Sequence, residues 1–81
     1  MKKRKIVLVE WDDIAAYDRN WIEEGEVAER TSTLPCTSVG WRLPSNDRKN
    51  IILTSTRSSN DKCADRQAIP RGCVRSIKEL Y

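Results

Sequence analysis

Ser38-Val39-Gly40-Trp41-Arg42-Leu43, Asn50-Ile51-Ile52-Leu53-Thr54-Ser55-Thr56, Ala64 through Ile69 and Val74 through Leu80 are four short runs set apart by polar corners. In the first, a two-residue period sends Val39, Trp41 and Leu43 to one face, read as the core face, and Gly40 and Arg42 to the other. A glycine there allows a sharp bend or the close approach of another backbone. Pro44-Ser45-Asn46-Asp47 and Arg57-Ser58-Ser59-Asn60-Asp61 carry the residues that turn a chain. Ile69-Pro70-Arg71-Gly72 fits a type I turn, with proline second and glycine fourth. The pattern is that of an antiparallel meander over residues 36–81.

Working outward, Ile6 to Trp11 reads as a further strand, because β-branched residues dominate it and Val7, Val9 and Trp11 share a face. The expected fold is therefore all-β, or β-rich with one short helix: a small five-stranded barrel of the SH3-like or Sm-like kind, whose closure protects the strand edges. Residues 1–5 are a basic tail, read as solubilising, and residues 12–35 an acidic insert. Within the insert, Asp18 is placed to cap a short helix that buries Trp21 and Ile22, carries Glu23 and Glu24 in its first turns and ends at Gly25. Thr31 to Pro35 reads as a loop leading into the second strand.

The 81 residues make a single domain, 1–81, with a modest core. For chains of this size, burial and conformational entropy nearly cancel, so self-association into a homo-oligomer is expected. Three cysteines, Cys36, Cys63 and Cys73, have no CxxC spacing and the chain has no histidine, which argues against structural zinc. They are read as small buried hydrophobes. No apolar run reaches the roughly 18 residues that span a bilayer. The expectation is a cytoplasmic protein with no membrane association, metal or cofactor.

Charge is unevenly placed. Between Glu10 and Arg30 eight acids face two bases, a balance of −6, whereas from Trp41 onward nine bases face four acids, a balance of +5. Such polarity suits head-to-tail association or an anionic ligand on the basic side; the plainer alternative is two solvated faces.

Paired carboxylates are the only catalytic candidates. Adjacent Asp12 and Asp13 point to opposite faces of a strand, and nothing supplies a companion nucleophile or metal, so the reading is non-enzymatic. Asp13 reads as a turn or cap residue. Arg42, Arg57, Lys62, Arg66 and Arg71 form the candidate anion site, with Ser59 adding a hydroxyl from the adjoining turn. Trp41 reads first as a core filler and, alternatively, as a platform on which a nucleobase stacks.

The order Val9-x-Trp11-x-Asp13, Trp21, Ser38-Val39-Gly40-Trp41, Ile51-Ile52-Leu53-Thr54-Ser55-Thr56 and Ile69-Pro70-Arg71-Gly72-x-Val74-x-x-Ile77 resembles that of small accessory proteins encoded by tailed bacteriophages. The resemblance spans nearly the whole chain. It implies expression in the cytoplasm of an infected bacterium and an accessory role, and it brings no catalytic residues; a counter-defence role is expected from the small size, the basic face and the anticipated self-association. Arg66 departs from that pattern, which expects an apolar residue there. Three functions follow as expectations: sequestration of an anionic nucleotide second messenger, an Sm-like nucleic-acid-binding module, and inhibition of a host defence protein through the acidic insert.

Overall fold

The computed structural model describes residues 2–13, 21–30 and 32–80. Five strands, β1 (Ile6–Asp13), β2 (Leu34–Leu43), β3 (Asn50–Arg57), β4 (Cys63–Pro70) and β5 (Val74–Glu79), form one antiparallel sheet in the order β4-β3-β2-β1-β5. Consecutive strands β1 to β4 neighbour one another, and a 3-10 turn at Arg71–Cys73 then carries the chain back to β1. The fold is thus mostly β, as the strand pattern predicts. Among the described residues, helix amounts to the Arg71–Cys73 turn, a second 3-10 turn at Glu24–Glu26 and a single α turn, α1 (Val27–Arg30).

The insert departs from expectation in three ways. Gly25 lies inside the 3-10 turn instead of ending a helix, and Trp21 is fully exposed rather than buried. Strand β2 begins at Leu34, so the expected loop is shortened; Pro35 pairs with Asp12 and Leu34 with Asp13, which makes Asp13 a strand residue. The proposed cap, Asp18, lies outside the described residues.

The core consists of Val7, Val9, Ile51, Leu53 and Ile69, with Trp11 and Val74 packed against it. Directly opposed residues of an antiparallel pair share a face, and this fixes which row of β2 points inward. Val7 stands across from Gly40, Val9 from Ser38, Trp11 from Cys36, and Leu53 from Arg42. The inward row is therefore Cys36, Ser38, Gly40 and Arg42, and Val39, Trp41 and Leu43 take the opposite face, the reverse of the alternation read from sequence. Trp11 closes this row by donating its indole N–H to Ser38 Oγ at 3.0 Å. The three cysteines are unpaired and half-buried, not buried.

Close packing supplies the reason for the reversal. A Cβ on Gly40 would lie 2.7 Å from the main-chain oxygen of Thr54, so only a bare Cα fits between β2 and β3 there. Gly40→Ala is expected to cost about 1–3 kcal/mol through this overpacking. Chemical denaturation would show it as a lowered midpoint.

On β4 the inward residues are Gln67 and Ile69, opposite Leu53 and Ile51. Ala64, Arg66 and Ala68 share the outer face, opposite Thr56, Thr54 and Ile52. A charged residue at position 66 is accommodated without entering the core.

Candidate functional site

Because Trp41 stands on the outer face, half-buried, its ring is available to a neighbour. That neighbour is Arg57, at the end of β3, whose guanidinium lies over the indole at 5.7 Å from the ring centroid. The Arg57 side chain is only 6% exposed. It donates from Nη2 to the Lys2 carbonyl oxygen at 2.5 Å and lies 3.7 Å from Asp61 Oδ1, while its Nε is buried without a hydrogen-bond partner among the described residues. A guanidinium has five N–H donors in a planar fork. Of this fork, Nη2 is engaged and Nε is the buried donor left without a partner among the described residues.

The basic tail is part of the same structure, contrary to its reading as a solubilising extension. The Lys2 backbone N–H donates to Asp61 Oδ1 at 2.8 Å, and the Arg42 N–H donates to the Lys5 carbonyl at 2.8 Å. With the tail held at both ends, Lys2 to Lys5, Ile6, Trp41 and Arg57 line an open groove of about 500 Å³. Four cations and an arginine on one concave wall focus positive potential where an anion would enter. Ile6 and Trp41, with three further residues, Val39, Gly40 and Ser55, also line a hollow of about 190 Å³.

Of the remaining candidates, Arg42 meets the tail in a further hollow of about 320 Å³ lined with Lys3, Arg4, Lys5, Leu43 and Pro44, and the others lie apart from this group. Arg42 leaves the inward row at the end of β2 and lines a recess with Arg71, Asp47 and Asn50. Arg66 is exposed and lines a separate hollow on the outside of β3 and β4. Ser59 and Lys62 sit in the exposed turn between those strands, where Ser58 bonds Asn60 and both main-chain groups of Lys62. Sequence spacing brings Arg57, Ser59, Lys62 and Arg66 close along the chain, but the β3–β4 hairpin distributes them over different surfaces. Of the seven predicted residues, Trp41 and Arg57 share one groove, and Arg42 and Arg71 share another.

The Lys2 N–H, with smaller contributions from nearby positive charges that include Arg57, holds the Asp61 carboxyl below the usual carboxylate range. A carboxylate whose folded pKa is depressed contributes above its unfolded value and loses that contribution as pH falls through the folded one. Tail docking should therefore be constant above about pH 5 and weaken below about pH 4. Exchange of the Lys2 amide, followed by NMR across this range, would show the loss of protection; Asp61→Asn should flatten the dependence.

Among the described residues, no group of three or more Cys, Asp or Glu side chains is placed to hold a metal ion, and no helix is long and apolar enough to cross a membrane. The chain matches no protein-family model, no curated protein and no solved structure.

Proposed function

We propose that this protein is a non-enzymatic binding module that captures a small phosphate-bearing nucleotide in the groove between Trp41, Arg57 and the basic tail. One observation carries the reading: the Arg57 side chain is almost wholly desolvated, yet its Nε has no hydrogen-bond partner among the described residues and its Nη2 lies 3.7 Å from the Asp61 carboxylate. A buried donor left unmade costs about 1–3 kcal/mol. Two phosphate oxygens on the Arg57 fork would recover that cost through charge-assisted bonds. The ammonium groups of Lys2, Lys3 and Lys5 add attraction without fixed geometry, and Arg4 adds a second guanidinium.

The SH3-like or Sm-like barrel class belongs to the same proposal. It is supported by the strand order, by the ten-residue β2 that spans both halves of the sheet, and by the 3-10 turn that delivers β5 to β1. Homo-oligomerisation is supported by the outer strands β4 and β5, each of which has a neighbour on one side only. A phage setting is what the family resemblance implies; the counter-defence role, in which the bound ligand is a host nucleotide signal, is proposed from the small size, the basic groove and the expected self-association.

Salt dependence is the test. Calorimetry with a cyclic dinucleotide should give a fixed stoichiometry and a shallow salt slope, whereas a single-stranded oligonucleotide bound as a polyanion would release several counterions and weaken steeply with salt. Oligonucleotide binding with the steep slope, and no binding of the dinucleotide, would replace the proposal with the nucleic-acid module.

A second reading is favoured by Trp21, which is fully exposed beside Glu23, Glu24, Glu26 and Glu29. An exposed indole with surrounding acids suits docking on a basic protein surface. Binding of neither nucleotide nor oligonucleotide would support this reading.

A further inference from the structure

The two hollows that meet at Trp41 differ in character. One is walled by the cations of the tail and by Arg57. The other is walled by Ile6, Val39, the Gly40 backbone, Trp41 and Ser55, with no charged residue among them. Arg57 already stands over the indole from the groove side. A planar group cannot stack there without displacing it.

We infer that the nucleobase of the bound ligand sits in the apolar hollow beside Val39, against Trp41, while its phosphate lies across the ring on Arg57; this inference rests on the nucleotide reading above. Three observations support it. The hollow and the groove share Ile6 and Trp41 as lining residues, so a ligand seated in one has the other as its immediate neighbour. Together they reach the size of small-molecule sites, about 300–1,000 Å³. Val39 is 52% exposed on the apolar side of Trp41, an apolar surface that the fold itself leaves uncovered.

The polar content of the hollow also sets the expected selectivity. Ser55 is exposed and brings one hydroxyl, which both donates and accepts. No carboxylate, amide or guanidinium lines the hollow to read a base edge through paired hydrogen bonds. The site therefore accepts any base by stacking, and affinities for different nucleobases should agree within a few-fold, since stacking is tolerant of base identity.

Calorimetry with AMP, ribose 5-phosphate and adenosine separates the parts. AMP should bind about tenfold or more tightly than ribose 5-phosphate, the gain of one stacked base. Val39→Gln, an exposed substitution that removes the apolar wall without adding charge, should abolish that difference and leave ribose 5-phosphate binding unchanged. Ser55→Leu, which fills the hollow from the opposite wall, should do the same. Equal binding of AMP and ribose 5-phosphate by the parent protein would overturn the base position while sparing the Arg57 anion site. Binding of adenosine as tightly as AMP would overturn the anion site instead. Failure of all three ligands to bind would overturn both.

Discussion

Ile69→Ala should remove about 2–5 kcal/mol of stability, the range for truncating a fully buried branched side chain. Among the described residues Ile69 is completely buried and is the largest of the deeply buried side chains, in a core cluster of five apolar residues. It lies on β4, paired with Ile51 of β3, so its removal opens a cavity where the outer strand is held to the rest of the sheet. Neighbouring strands cannot collapse into that space easily, because Gly40 already brings β2 against the Thr54 carbonyl. Domains have about 5–15 kcal/mol in total, so this one change removes a large share. Urea denaturation should show a much lower midpoint with an unchanged slope, the signature of lost stability in a cooperative transition. A shift no larger than that of an exposed control such as Arg66→Ala would mean that the five-residue cluster is not the core that holds the sheet.

Arg57→Lys should lower nucleotide affinity by about tenfold or more while the protein remains folded. Lysine retains the charge but loses the planar fork, the stacking on Trp41 and the reach to the Lys2 carbonyl. Arg66→Lys, on a different surface, should leave affinity within about twofold, since exposed point charges contribute little. The contrast matters because both arginines follow from the same sequence argument, and only Arg57 is desolvated against an aromatic ring. Calorimetry of the two variants against the cyclic dinucleotide measures it. Equal losses would indicate a diffuse electrostatic surface; a loss at Arg66 alone would move the site to the outer face of β4. Trp41→Ala belongs with this pair: a half-buried ring outside the core should cost affinity far more than stability.

Strand positions were legible in the sequence because β-branched runs and turn residues act locally. A corner near Pro70 was legible, but not its form: Pro70 has ψ 130° and closes β4 as an extended residue, so the chain turns through the 3-10 turn Arg71–Cys73 and not through a type I turn with proline second. Which face of β2 points inward was not legible. Val39, Trp41 and Leu43 form the more apolar row, and periodicity alone assigns such a row to the core; the deciding fact is the approach of Thr54 to Gly40, a contact between strands 14 residues apart in sequence. That inversion is also what places Trp41 beside Arg57. The tail was illegible for another reason, since it is held through main-chain groups of Lys2 and Lys5, which no pattern of side chains reports. One signal was present: an acid and an arginine, Asp61 and Arg57, flank a single turn and are placed to receive a chain segment.

Docking by main chain leaves the side chains of residues 2–5 with little structural duty beyond an exposed 3.8 Å pairing of Lys5 with Glu79. Substitutions there can alter the groove's charge without disturbing the bonds that hold the segment. Such a segment can diverge rapidly under selection, since trading lysine for serine or glutamate retunes which anion is admitted and leaves the scaffold intact. Related chains facing different ligands would then be expected to differ most over their first few residues and least at the glycine, arginine and tryptophan that frame them.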